Sequence, residues 1–320
     1  MSFPTPILLC LFNRPDLTAQ VFRRIAAQRP RTLLIVGDGP RPGHPTDFDR
    51  VRQCREIVNQ IDWDCRVMTE YSDVNLGCRN RMASGLRWAF DRVEQLIVLE
   101  DDCLPDPHFF RFCQQMLDRY ANDPRIGMIC GDQFLTGVPV ATDAYLSKFA
   151  FVWGWASWRR AWHYYDLNMT RWTLRRTGSW LAEQCSSAAE TDYWKNIFER
   201  QAAGQIDTWD YSWMFNAWDR GLLTVHPKHN LVSNIGFRSD ATHTTDPAAG
   251  LAAIPTLSQT DHSSPDHWTV HEDPIPDWEA ILFRDVFLSA AAEATSTGTP
   301  PSRTRQTRWN KLKRWFRRSA

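Results

Sequence analysis

The stretch Gln95-Leu96-Ile97-Val98-Leu99-Glu100-Asp101-Asp102-Cys103-Leu104-Pro105 decides how this chain is read. A run with the character of a buried strand passes directly into three consecutive carboxylates, and a proline then stops regular structure. Like charges packed this closely raise one another's ionisation cost. A divalent cation removes that cost. Hard cations such as Mg2+ and Mn2+ take oxygen ligands, and Mg2+ is commonly held by one or two carboxylates together with substrate phosphates. Strand, acidic triplet and turn therefore predict a metal that bridges the protein to a nucleoside diphosphate.

Working outward, the first 130 residues alternate strand and helix. Residues 6–12 read as a continuous apolar strand, followed by a helix that opens at Pro15 and carries Leu17, Val21, Phe22 and Ile25 at helical spacing. A second strand over 32–36 ends in Gly37-Asp38-Gly39-Pro40, and a helix with Phe48, Val51 and Ile57 inward follows. A third strand over 66–69, a helix over 83–93, the strand before the triplet, a helix over 107–120 and a strand over 126–130 complete the series. Buried strands alternating with helices predict an α/β fold with a mostly parallel sheet covered on both faces. Ligands bind such sheets beyond the carboxyl ends of the strands. Polar clusters fall at three of those ends: Asn13-Arg14, Asp38, and Glu100 to Asp102. Neither Gly-x-Gly-x-x-Gly nor a Walker-type Gly-Lys-Ser/Thr occurs, which argues against a dinucleotide dehydrogenase or a P-loop NTPase.

The 320 residues are 43% hydrophobic and hold 16 tryptophans, ten of them between Trp153 and Trp218. From about Gly131 the alternation gives way to what reads as irregular segments and short helices. Tryptophan this dense suits a core first. Flat aromatic faces also suit sugar rings, and Gly154 would allow close backbone approach. Eight cysteines without Cys-x-x-Cys spacing predict reduced, mostly buried thiols.

Formal charge is zero, but Arg303 to Arg318 carries eight basic residues, leaving 29 basic against 37 acidic residues elsewhere, a formal −8. That body is not a nucleic-acid binder by charge. The terminal segment places Trp309, Leu312, Trp315 and Phe316 among cations, the pattern of a helix lying on an anionic membrane surface. Residues 2–6 lack a basic start, the apolar run over 7–12 is short for a signal peptide, and no run approaches a membrane span. A cytoplasmic location, peripheral on the inner face of a membrane, is expected. The organisation expected is a nucleotide-sugar-binding half over 1–130, a Trp-rich acceptor half of the same domain over 131–250, a wrap over 251–293, and a linker with basic tail over 294–320.

The order of motifs resembles the metal-dependent glycosyltransferases of the GT-A fold, and in particular bacterial relatives of N-acetylglucosaminyltransferase I. The resemblance covers residues 6–240. It is carried by Cys10-Leu11-Phe12-Asn13-Arg14, Gly37-Asp38, Leu86-Arg87-Trp88-Ala89, Glu100-Asp101-Asp102 with Phe109-Phe110, Gly154-Trp155, and Trp209-Asp210-Tyr211-Ser212-Trp213-Met214. It implies a nucleotide-sugar donor, a glycan or glycolipid acceptor, no nucleic acid, and Mn2+ or Mg2+ at Asp102. Glu100 and Asp101 would then hold ribose and sugar hydroxyls, Asp38 the base N–H, and Phe12, Asn13 and Arg14 the base and phosphates. Arg79, Arg81 and Arg238 are candidate phosphate contacts, Trp155 a donor contact, and His243 a second metal ligand. The resemblance places the general base in the Trp-flanked segment, where aromatic neighbours raise a carboxylate's pKa toward neutrality. Tyr211 and Ser212 stand where relatives carry a second acid, so Asp207 and Asp210 both remain candidates. A nucleotidyltransferase and a non-catalytic carbohydrate-binding protein are the alternatives.

Overall fold

The computed structural model describes residues 2–135, 137–237, 254–257 and 267–288. Its strands are β1 Ile7–Leu11, β2 Thr32–Gly37, β3 Arg66–Tyr71, β4 Gln95–Glu100, β5 Cys103–Pro105, β6 Ile126–Cys130, β7 Ala144–Ser147, β8 Trp155–Trp158, β9 Leu223–Pro227, β10 Val232–Asn234 and β11 Val270–His271. The helices are α1 Pro15–Gln28, α2 Asp47–Ile57, α3 Gly77–Phe90, α4 Pro107–Arg119, α5 Arg159–Trp162, α6 Trp172–Arg175, α7 Trp180–Gln184, α8 Ala188–Ala202, α9 Asp210–Asp219 and α10 Pro276–Leu282.

Nine strands form one mixed sheet in the order β11-β7-β9-β6-β8-β4-β1-β2-β3. The pairs β3·β2, β2·β1, β1·β4 and β6·β9 are parallel, while β8 runs antiparallel to both β4 and β6. The expected α/β architecture, a large, mostly parallel sheet flanked by helices, is therefore present. Alternation along the strands sorts the core into two layers. Leu8, Leu34, Val36 and Val98 face Leu86, Phe90 and the tryptophans, whereas Ile7, Leu9, Ile35, Ile97 and Leu99 share the other layer with Phe109, Phe112 and Leu117.

Four local readings need correction. The helix expected over 83–93 begins at Gly77, because the Asp38 carboxylate, 38 and 39 residues away, accepts the backbone N–H groups of Leu76 and Gly77. No residue near Gly77 in sequence announces such a start. β3 lies at the sheet edge and is half exposed instead of buried. On α2, Val51 and Cys54 face inward and Phe48 is 68% exposed. Finally, the region after Gly131 is more regular than expected. It sends β7, β8 and β9 into the main sheet and forms the 15-residue α8.

Eight of the ten tryptophans between Trp153 and Trp218 are buried, packed in contacts such as Trp155–Trp209 at 5.7 Å and Trp162–Trp213 at 5.3 Å. The eight thiols form no disulfide. No helix among the described residues is long and apolar enough to cross a membrane. The basic terminal segment and its expected membrane contact lie outside the described residues.

Candidate active site

At the carboxyl ends of β1, β2, β4 and β6 the structure opens a cleft of about 340 Å³. Its described wall carries seven acids, Asp38, Glu100, Asp101, Asp102, Asp132, Asp207 and Asp210, against the three arginines Arg14, Arg41 and Arg81. A cleft that is formally −4 repels a nucleotide's phosphates unless cations or protons enter with them.

The acidic triplet leaves β4 in a turn that β5 and β10 hold in place. These two strands pair antiparallel, with Asn234 opposite Cys103, and the Ile235 N–H donates to the Asp102 carbonyl at 2.8 Å. Gly236 lies so close that a Cβ there would stand 2.3 Å from Asp102 Oδ2. The β10 loop is therefore moulded around the carboxylate. Asp101 is 2% exposed and accepts the Phe12 N–H at 3.2 Å. Arg14 forms ion pairs with Asp101 and, through Nη1, with Asp102 Oδ2 at 2.9 Å.

Burial drives the pKa of Glu100 up to about 8, reinforced by Asp102 and Asp101 and opposed by Arg14, with Asp210 adding to the rise. Burial likewise raises Asp101, against the pull of Arg14. For Arg14, burial opposes the charge, but Asp101 and Asp102 outweigh it and hold the guanidinium protonated. Burial and crowding thus favour protonated carboxyls on this rim, and Arg14 is the cation that opposes the shift.

Among the described residues no three metal-ligating side chains converge as a preformed metal site. The donors of the triplet are nevertheless all oxygen, Asp102 reaches the cleft, and acids outnumber arginines on its wall by seven to three. That fits a hard cation held by Asp102 and completed by a nucleotide's own phosphate oxygens.

Other expected site residues divide by location. Asp210 begins α9, is 6% exposed and lies on the cleft wall, where its Oδ1 accepts the Thr208 hydroxyl at 2.6 Å and the Tyr211 N–H at 2.9 Å. Asp207 is exposed at the same wall. Phe12 lines the cleft beneath the Arg41 guanidinium, 5.3 Å from its ring centroid. Asp38 lines it too, but its carboxylate already accepts the N–H groups of Gly39, Leu76 and Gly77 and the Asn75 amide. It clasps β2 to the start of α3. Asn13 is buried and donates to Asp47 at 2.8 Å. Arg81 reaches the wall while paired with Glu70, and Arg79 points to the Leu167 carbonyl at 3.1 Å. Trp155 is wholly buried in β8, stacked near Trp209, and its neighbour Trp153 faces the cleft instead. Arg238 and His243 lie outside the described residues.

Sequence reasoning missed Asp132, Trp153 and Arg41. Asp132 had a readable signal: Gly131-Asp132 follows the buried β6 as Gly37-Asp38 follows β2. Trp153 had none, since period and composition do not distinguish it from the tryptophans that fill the core.

No protein-family model matches this chain, and no curated protein matches it. Among solved structures it is similar to a mannosyltransferase from Pyrobaculum calidifontis in complex with GDP-Man and Mn2+, at 16% identity and a TM-score of 0.34 over 48% of this chain and 44% of that one. It is also similar to 4-diphosphocytidyl-2C-methyl-D-erythritol synthase from Anaerococcus prevotii, at 9% identity and a TM-score of 0.38 over 72% of this chain and 92% of that one. A third is glucosyl-3-phosphoglycerate synthase from Mycobacterium tuberculosis in complex with Mn2+, uridine diphosphate and phosphoglyceric acid, at 11% identity and a TM-score of 0.27 over 48% and 56%. The chain spans less than half the length of the mannosyltransferase.

Proposed function

We propose that this protein is a glycosyltransferase that moves a sugar from a nucleoside diphosphate, UDP in the first instance, to a hydroxyl of a surface glycan or glycolipid. The observation that carries the reading is the meeting, in one cleft at the strand ends, of the β4 triplet with the buried acid that opens α9. Glycosyl transfer to a hydroxyl needs stabilisation of a departing diphosphate and a base for the acceptor proton. The triplet and Asp210 are chemically suited to those two tasks.

In this reading Arg14 and the cation at Asp102 offset the diphosphate's charge, the cation supplying Lewis-acid stabilisation when bound. Glu100 hydrogen-bonds the donor's hydroxyls. Asp210 takes the proton from the acceptor oxygen, with Thr208 and the Tyr211 N–H fixing its orientation. A base acting directly on the acceptor gives a single displacement, hence inversion. Trp153 and Trp209 supply apolar wall that limits competing water.

Nucleotidyl transfer uses a similar acidic rim and is separated by its product. Titration of UDP, GDP and CTP with and without Mn2+, followed by assay with nucleotide sugars, tests the reading. Release of a nucleoside diphosphate supports glycosyl transfer. Release of pyrophosphate from a nucleoside triphosphate and a sugar phosphate would replace it with nucleotidyl transfer.

A further inference from the structure

Asp132 stands just beyond β6 and is 0% exposed, yet it is among the residues that line the cleft. Oδ2 accepts the Trp153 backbone N–H at 3.0 Å and the Cys130 thiol at 3.5 Å. Oδ1 meets no hydrogen-bond partner among the described residues. The backbone leaves it little room to seek one. The Gly131 N–H donates to the Gly154 carbonyl at 2.8 Å, the Leu231 N–H donates to the Gly131 carbonyl at 2.9 Å, and a Cβ on Gly131 would stand 2.5 Å from Val232 Cγ2. A buried polar atom held without a partner is costly, and a bound ligand atom is one way the cost is removed.

The surroundings are aromatic. Phe134 packs edge-on against Phe151 at 4.7 Å and against Trp153 at 5.4 Å, and all three line the cleft. One directional polar group set in an apolar wall suits a sugar ring, which presents C–H bonds on its faces and oxygens at its edge. Position along the rim agrees. The sheet order β2, β1, β4, β8, β6 places Asp38, Arg14, the triplet, the segment entering β8, and Asp132 in succession. A nucleotide with its phosphates at the triplet and its base toward β2 directs its distal group toward β6.

Resting on the glycosyl-transfer reading, we infer that Asp132 Oδ1, with the rings of Phe134, Phe151 and Trp153, forms the subsite that holds the transferred sugar of the donor. Burial raises the Asp132 pKa well above the usual carboxylate range, which favours the neutral carboxyl. Oδ2 is already engaged by donors, so the proton resides on Oδ1 and is donated to a sugar hydroxyl or amide oxygen.

The test is calorimetric titration of the full chain with Mn2+, comparing UDP with UDP-glucose and UDP-N-acetylglucosamine, and GDP with GDP-mannose. Wild type, Asp132→Ala and Asp132→Asn are compared, with thermal unfolding to confirm the fold. Loss of one neutral hydrogen bond is expected to weaken the preferred nucleotide sugar about five- to tenfold in Asp132→Ala, while the matching nucleotide stays within about twofold. Asp132→Asn keeps an acceptor for the Trp153 N–H and a donor in place of the carboxyl proton, and should bind within about twofold of wild type. Should Asp132→Ala not fold, Trp153→Leu, at a half-buried position on the same wall, must show the same split between nucleotide sugar and nucleotide. Equal losses for both ligands, or no loss for either, overturn the subsite and leave glycosyl transfer standing. A wild-type protein that binds none of these nucleotides overturns the glycosyl-transfer reading, and the subsite with it.

Discussion

Arg14 Nη1 lies 2.9 Å from Asp102 Oδ2, so the residue beyond the first strand is tied to the last acid of the triplet, 88 positions later in the chain. The same guanidinium pairs with Asp101. This contact joins the neighbouring strands β1 and β4 at the point where the rim's negative charge is greatest.

Arg14→Met removes one partner from a largely buried ion pair and leaves two carboxylates facing each other. Destabilisation of about 3–5 kcal/mol is expected, the range for breaking such a pair from one side. Urea unfolding of the two proteins at pH 7 measures it. A change under about 1 kcal/mol would mean that the triplet does not need its arginine to fold.

Asp102→Ala leaves the Arg14–Asp101 pair in place, so the fold should remain cooperative. The gain in UDP affinity that Mn2+ gives the wild type should disappear. Titrations with and without Mn2+ that show the same gain in the variant would remove Asp102 from the metal assignment.

Asp210→Asn keeps volume and the Thr208 contact but abolishes proton acceptance. Turnover should fall by about 10² to 10⁴ with nucleotide affinity unchanged. Asp207→Asn, at an exposed position, should cost far less. The reverse ranking of the two turnover rates would assign the base to Asp207.

Glu279 gives a pH prediction remote from the cleft's acids. Burial raises its pKa from 4.5 to about 7, against the pull of Lys148 and the hydrogen bonds from the Ser147 hydroxyl and the Lys148 N–H. A carboxyl with a raised folded pKa binds its proton more tightly in the native state. Stability is therefore full below about pH 4.5 and falls as pH rises toward 7, by up to about 3 kcal/mol. Unfolding free energies across this range should decline in the wild type and, in Glu279→Gln, lack that component of the slope.

Gly154 sits at φ +75°, and a Cβ there would stand 2.7 Å from Val232 Cγ2. Gly154→Ala combines left-handed strain with overpacking and should cost about 1–3 kcal/mol or more. Thermal unfolding checks this. An unchanged midpoint would show that the β8 entry can adopt another path.

The chain's local chemistry determined a great deal. Apolar runs too short for helices set β1, β2, β4 and β6, and Pro15 and Pro107 started α1 and α4 within their first turns. The Glu100 to Asp102 triplet belongs at a strand end because an apolar run leads into it and Pro105 follows closely. These features depend on neighbours within a few residues, where spacing and backbone chemistry are sufficient.

Tertiary structure decided the rest. Asp38 became a clasp because the α3 terminus, distant in sequence, brings backbone N–H groups to it. Asn13 turned inward because Asp47 lies beneath it. Trp155 and Trp153 differ by two positions and have the same side chain, yet one fills the core and the other lines the cleft. The backbone turns at Gly154 between them, and β8 inserts antiparallel between β4 and β6 immediately afterward. Asp132 Oδ1 acquired its significance only when packing closed off other partners around it. Which hydrogen bonds are left unmade is a property of the assembled core, since burial and partnership are both set by residues far apart in the chain.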